Sequence, residues 1–243
     1  MPHVVAAPGV LPTQGGDASP VRGEVRQTYQ LSPTAGVEVT GIEGPVEVET
    51  TDGGPAEVHF TRTAQSQTEY DCEKLVVEHT PERLSLRRRR GDGGGCRVIR
   101  ASERLRLTVP RSASLSFKGI EGDLTVGPTD GVLRLSGIEG YVRVAQTRAA
   151  EMRSLEKGLS LTVERLGETG VSVSNVEGAV EFYVAGDLNA DLRITSSSGD
   201  ISADLPGAQV SRQGPRSYAA RLGAGGASIS LSGIEGAVRV RRK

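Results

Sequence analysis

Four consecutive arginines, Arg87 to Arg90, are the densest run of like charge in the chain. On an extended strand, two of the four point to each face. An open row of guanidinium groups binds anions: lipid head groups, nucleic acid or an acidic protein surface. No aromatic side chains interleave these arginines, which argues against a single-stranded nucleic acid. The alternative is structural: cross-strand pairing with Glu69, Asp71, Glu73 and Glu78, worth only ~0.2–1 kcal/mol per exposed pair. The sequence favours that pairing over a docking face, and ranks a protein or lipid partner ahead of nucleic acid.

Other reactive residue types are sparse. His3 lies in a Pro-rich arm, and His59 and His79 lie on separate predicted strands with no Cys or Asp at ligand spacing. Neither His-Glu-x-x-His, Gly-x-Ser-x-Gly nor a phosphate-loop lysine occurs. Gly223 to Ser228 (GAGGAS) is glycine-rich, but a strand rather than a helix is predicted to follow it. Cys72 and Cys96 lack two further ligands for a metal; they flank a predicted hairpin, where a disulfide and a pair of reduced thiols both fit. Tyr141 and Tyr183 are expected to point outward, but at different repeat positions, so they make no strip for carbohydrate. These residues predict no catalytic group, no cofactor, no metal and no small-molecule substrate.

One more segment invites a partner. Residues 1–22, MPHVVAAPGVLPTQGGDASPVR, carry prolines at 2, 8, 12 and 20. Proline rules out a helix and lowers the entropy lost on ordering. Val4, Val5, Val10 and Leu11 suit an extended arm lying in a partner's groove; the competing role is a cover over an open sheet end.

The elements that must position these residues are written in a repeat. The tetrapeptide GIEG occurs four times, at 41–44, 119–122, 137–140 and 233–236. Gly122, Gly140 and Gly158 are spaced by 18 and 18, and Gly178 and Gly199 follow at 20 and 21. A fixed period near 20 is the signature of stacked repeats. The unit VLRLS-GIEG-YVRVA-QTRA reads as strand, turn, strand, turn. Its apolar residues form columns: Val37, Leu115, Leu133, Val171, Leu192 and Ile229 in one, Val46, Leu124, Val142, Val180, Ile201 and Val238 in another. Parity changes from odd to even across GIEG, so the tetrapeptide is expected to be a corner with φ > 0 at one or more residues, plugged by its Ile. Its glutamates (Glu43, Glu121, Glu139, Glu177 and Glu235) are expected to be solvated; pairs of them holding Ca²⁺ is the less favoured alternative.

Composition agrees with many turns and a tightly stacked β architecture: 243 residues with 32 Gly, 3% aromatic residues and no Trp. Net charge is −1, which gives no global attraction to nucleic acid or membrane. Residues 1–82 nevertheless hold 13 acidic and 4 basic side chains, while 83–111 hold 10 Arg against Asp92 and Glu103. The expected fold is all-β: a parallel β-solenoid with two short strands per coil of about 18 residues, and longer strands in the N-terminal half. Those longer strands are expected at 56–63, 74–80, 83–89 and 104–110, with a turn at 80–82. Residues 64–73 form a helical turn or a loop, and 206–227 an elaborated coil with a surface loop. Residues 1–22 form the arm and 23–243 one domain, with longer strands and the Arg-rich hairpin in 23–111 and regular coils in 112–243.

LRLTVPRSASLSFKGIEGDLTV (105–126) and SSSGDIS (196–202) resemble the bacterial adhesin-like or toast-rack β-solenoid family. That resemblance implies a fold and an association with the cell envelope and with protein contacts; it brings no catalytic residues. The expected function is a non-catalytic interaction module: a rigid scaffold or accessory subunit docking onto a larger, membrane-associated assembly, touching membrane only through a partner or the Arg-rich strand. The alternative is an envelope adhesin-like or ligand-binding domain whose export signal is missing. MPHVVAAPGVLP is neither a signal peptide nor a membrane span. The expected location is therefore the cytoplasm or the cytoplasmic face of a membrane complex, and the periplasm or envelope if a signal was removed.

Overall fold

Short runs in which apolar and polar residues alternate favour strands with one dry face, and strands make up most of the described residues. The computed structural model describes residues 20–90 and 101–243. The N-terminal part contains β1 (Val21–Tyr29), β2 (Gly36–Ile42), β3 (Val46–Thr51), β4 (Ala56–Ala64), helix α1 (Gln67–Cys72), β5 (Glu73–Thr80), β6 (Arg83–Arg90) and β7 (Ala101–Pro110). Shorter strands follow: β8 (Ser114–Ile120), β9 (Leu124–Val126), β10 (Val132–Ile138), β11 (Tyr141–Val144), β12 (Ala149–Leu155), β13 (Gly158–Val163), β14 (Val171–Val176) and β15 (Ala179–Val184). The chain ends with β16 (Ala190–Ser197), β17 (Ile201–Asp204), β18 (Gln209–Gly214), β19 (Ser217–Leu222), β20 (Ser228–Ile234) and β21 (Val238–Arg242).

Among the described residues, two sheets share these strands. One has ten, in the order β1-β4-β7-β3-β9-β11-β13-β15-β21-β17; the other has eleven, in the order β18-β19-β16-β20-β14-β12-β10-β8-β2-β6-β5. Neighbours in the middle of each sheet are parallel, and both are mixed because antiparallel strands lie at one end of the first and at both ends of the second. β4 and β1 extend one sheet beyond β7, β5 extends the other beyond β6, and β19 and β18 extend it beyond β16. The all-β expectation holds, as do the separate strands over 56–110, the turn after Thr80 and the helical turn before Glu73.

The apolar columns run through the parallel registers. Val37 lies opposite Leu115, Leu115 opposite Leu133, Leu133 opposite Ala150, Ala150 opposite Val171, Val171 opposite Ile229, and Ile229 opposite Leu192. All of these are buried in one continuous core with the Val46–Leu124–Val142 column of the other sheet. Burying each Val or Leu contributes ~1.5–3 kcal/mol, which makes this interior the main source of stability.

The register corrects three expectations. Tyr141 lies opposite Gly158, so Gly140 aligns with Lys157 and that step is one residue shorter than the even spacing suggested. The corner there is Ser154–Leu155–Glu156–Lys157, which the glycine pattern does not reveal. The strand pairs also do not stack in chain order: β20 lies between β14 and β16, and β21 between β15 and β17. Likewise β2 pairs directly with β8, although the residues of β4 to β7 intervene. Finally, residues 206–227 contain an antiparallel hairpin, β18–β19, with a bulge between Val210 and Arg212.

Candidate functional site

Each GIEG corner is built from two glycines with different tasks. The first has positive φ: 71° at Gly41, 61° at Gly119, 64° at Gly137 and 60° at Gly233. Ser154 (57°) and Asn175 (55°) hold the same place in two other corners, and a short polar side chain tolerates that region better than most. The last glycine has no room for a side chain. A Cβ on Gly140 would lie 2.1 Å from the Gly122 carbonyl oxygen, and one on Gly236 would lie 2.4 Å from the Gly178 carbonyl carbon. Between the glycines, Ile42, Ile120, Ile138, Val176 and Ile234 are fully buried, as is Leu155.

The glutamates follow one another up this corner as a ladder. The amide of Glu121 donates to the Ile42 carbonyl, Glu139 to Ile120, Glu156 to Ile138, Glu177 to Leu155 and Glu235 to Val176, all at 2.8–3.0 Å. At the far level Ser198 donates to Ile234 at 2.8 Å, with buried Ser197 in the isoleucine position. Beside the upper rungs a groove of about 490 Å³ is lined by Ser154, Glu156, Asn175, Glu177, Ser198 and Glu235, among others. Among the described residues no group of three or more His, Cys, Asp or Glu side chains is arranged to hold a metal ion.

At its lower end the ladder changes chemistry. The amide of Glu43 donates not to a carbonyl but to the Glu103 carboxylate, Oε2, at 3.0 Å. Glu103 is 2% exposed and stands directly opposite Arg62, which is 3% exposed. Arg62 Nη1 lies 3.8 Å from Glu103 Oε1, and its Nη2 3.3 Å from Glu73 Oε2. The same guanidinium donates to the carbonyls of Glu73, at 2.5 Å, and Glu69, at 3.4 Å, and lies 5.9 Å from the Tyr70 ring. Arg88 adds ion pairs to Glu43 and, at 3.5 Å, to Glu73. Burial pushes the Glu103 carboxyl above its usual range, although the Glu43 amide, Arg62 and Arg88 all pull it down. Glu121, the next rung, is also raised, first by burial and then by Glu43 and Glu139.

This places the predicted arginines unequally. Arg87 is exposed and bonded to Glu78 at 2.9 Å. Arg88 turns into the corner network, while Arg89 and Arg90 are exposed. Of the four acidic residues expected to pair with the run, Glu78 and Glu73 meet Arg87 and Arg88. Glu69 instead accepts from the Gln65 amide at the start of α1, with Ser66 capping the helix, and Asp71 accepts from Gln67. Val4, Val5, Val10 and Leu11 lie outside the described residues. The buried pair Arg62–Glu103 went unread in the sequence, yet a signal was present. Arg62 shares the inward parity of Val58 and Phe60, and Glu103 that of Leu105 and Leu107.

The remaining candidates have local roles. Arg143 stacks 4.5 Å from the Tyr141 ring, and Tyr183 bonds Glu181 at 3.4 Å. His59 pairs with Glu24 at 2.9 Å; His79 bonds the Gln30 carbonyl and lies beside Tyr29. Cys72 is buried and disulfide-bonded, and the chain's other cysteine, Cys96, lies outside the described residues. No helix among the described residues is long and apolar enough to cross a membrane.

No protein-family model matches the chain, and no curated protein matches it. Solved structures do resemble it. A "putative cell adhesion protein" from Clostridium sporogenes is 12% identical with a TM-score of 0.46, covering 92% of this chain and 100% of its own. A "putative adhesin" from Bacteroides fragilis is 12% identical with a TM-score of 0.36, covering 90% and 97%. A "putative lipid binding protein" from Parabacteroides distasonis is 13% identical with a TM-score of 0.28, covering 94% and 98%. The adhesin description is shared with the family that residues 105–126 resemble. At such TM-scores the likeness transfers no function.

Proposed function

We propose that the protein is a rigid, non-catalytic interaction module, a scaffold or accessory subunit, whose strand pairs are the coils of a parallel β-solenoid. Residues 23–243 form its single domain, and the exposed arginines of β6 dock an acidic protein partner. The observation that carries this reading is where the unusual electrostatics lie. The buried charges, Arg62 and Glu103 with Arg88, Glu43 and Glu73, bind β-strands to one another, while Arg87 and Arg89, on the opposite parity, face away from that network. The parallel registers from β2 to β20 support the solenoid, since each strand meets an equivalent strand at matching positions, although the levels do not follow chain order. The arm of residues 1–22, with Val4, Val5, Val10 and Leu11, is a second partner contact on the strength of its sequence alone.

One observation favours the envelope version of this reading. Cys72 is disulfide-bonded, and disulfides persist in exported proteins far more than in cytosolic ones. An adhesin-like module of the envelope accommodates both the bond and the docking face.

Affinity capture with the full chain tests the docking face. Arg87→Ser with Arg89→Ser should weaken capture of a protein partner several-fold and flatten its salt dependence, leaving the thermal midpoint nearly unchanged. Capture that survives both substitutions at every salt concentration would remove the arginines from the interface.

A further inference from the structure

The strands nearest the C-terminus do not lie at an end of the stack. β20 and β21 fill a slot two strands wide, walled on one side by β14 and β15 and on the other by β16 and β17. Both walls precede the filler in the chain, so the slot's walls are synthesised before the segment that closes it. The outer wall depends on that segment: among the described residues β17 pairs only with β21, and β16 pairs with β20 and with the hairpin strand β19.

The slot is selective. Ile229, Leu231, Ile234, Val238 and Val240 enter it fully buried. The backbone at Gly236 is clamped between Gly178 and Gly199: a Cβ on Gly236 would lie 2.4 Å from the Gly178 carbonyl carbon, and one on Gly199 would lie 2.4 Å from the Gly236 oxygen. Gly233 sits at φ 60°, where a Cβ would lie 2.8 Å from Asn175 Oδ1. A segment that fits must therefore carry alternating apolar residues around Gly-Ile-x-Gly, with glycine obligatory at the last place. This chain writes that pattern repeatedly, and LSGIEG stands letter for letter at both 135–140 and 231–236.

The connection into the slot is a hinge by composition and by contacts. Gly223, Gly225 and Gly226 have φ of 55°, 78° and 141°. This loop is held by polar contacts: the Ala224 amide to Asn189 Oδ1 at 2.7 Å and the Gly226 amide to Asp191 Oδ2 at 3.4 Å.

We propose that Ser228–Arg242 is an exchangeable strand pair, and that the partner fitted by the slot is a second copy of this chain. When two copies close their slots near one another, each segment can enter the other's slot, and every register of the closed form is preserved across the pair. Only the hinge must open, which is why exchange of an identical element is a low-cost route to association. The inference rests on strand order and the glycine clamp, and is independent of what binds the arginines.

Mixed refolding tests it. Ser172 and Ser230 are register partners on β14 and β20. One full-length copy carries Ser172→Cys and the other Ser230→Cys; neighbouring strands bring such Cα atoms within disulfide range. The two are unfolded together with the native disulfide intact, refolded over a range of protein concentrations and oxidised. The expected product is a species of twice the chain mass with the 172–230 link mapped by mass spectrometry. Its share should rise with concentration and exceed several-fold that from Ser116→Cys with Ser230→Cys, positions on strands that are not neighbours. Gly236→Val separates donor from acceptor. Placed on the Ser230→Cys copy it should abolish the linked species, because that segment no longer fits. Placed on the Ser172→Cys copy it should increase the yield, because that slot can be filled only from outside. Absence of the linked species at every concentration overturns the proposal, as does a yield indifferent to the cysteine pair or to Gly236.

Discussion

Two stretches of the same ladder contrast. In the middle, around Ile138 and Glu139, the corner is satisfied by backbone: the Glu139 amide meets the Ile120 carbonyl, and an isoleucine plugs the space beneath. At the lower end, around Glu43, the carboxylate of Glu103 stands in for the missing carbonyl, and Arg62 and Arg88 gather round it. The middle repeats because each level presents to the next the groups it received from the last. The end cannot repeat, since β4, α1 and β5 arrive there with a different geometry. Buried charge replaces backbone at that boundary, and it brings a desolvation cost the middle never meets.

The contrast breaks most visibly by removing one partner of the buried charges. Arg62→Met keeps much of the apolar stem but leaves Glu103 and Glu73 without their shared cation, in surroundings where Glu103 is almost wholly enclosed. Breaking a buried pair in this way costs about 3–5 kcal/mol. Denaturant unfolding of the variant against the parent measures it. A loss below ~1 kcal/mol would mean that water reaches this junction and that the charges are not a structural hub.

Ile138→Ala probes the middle. It removes a fully buried side chain from a corner whose neighbours above and below, Leu155 and Ile120, are held by register. Cavity formation in such a site costs ~3 kcal/mol. A polar change on the same corner, Glu139→Ala, touches only an exposed rung and should stay within ~0.5 kcal/mol. Equal losses for the two would disprove the division of the corner into a buried plug and a solvated rung.

Much of this was legible in the residues. Corners needing positive φ and close backbone approach select glycine, so the repeat and the buried columns could be read from GIEG and from period-two alternation. One corner stayed hidden because Ser154 takes the positive φ there without glycine, and Lys157 stands where the GIEG corners end in glycine. The order of the levels was not legible at all. LSGIEG is written identically at 135–140 and 231–236, so a periodic sequence specifies register but not which level lies next to which. The pair Arg62–Glu103 was open to discovery, because a charge at an inward-facing position of an alternating strand demands a buried partner. The arginine run drew the eye to exposed charge, while the chemistry of the junction sits in single charged residues inside apolar strands.

Removing the Glu103 charge sharpens the comparison through pH. Glu103→Gln keeps a side-chain oxygen for the Glu43 amide and removes the charge, so at neutral pH stability should change by less than about 1.5 kcal/mol. The sign of the pH dependence follows from the cause of the shift. Burial raises the folded-state pKa of Glu103 above its unfolded value, so the protonated carboxyl adds stability below the unfolded pKa. That contribution is lost as pH rises through the raised folded value, where the enclosed carboxylate must ionise beside Arg62 and Arg88. Glutamine has no such step. Measured between about pH 4 and pH 8, the difference in unfolding free energy should therefore move in favour of the Gln variant as pH increases. A flat difference across the range would mean that Glu103 ionises as an ordinary carboxylate, its burial offset by the two arginines. A difference moving toward the parent would mean that those arginines outweigh burial.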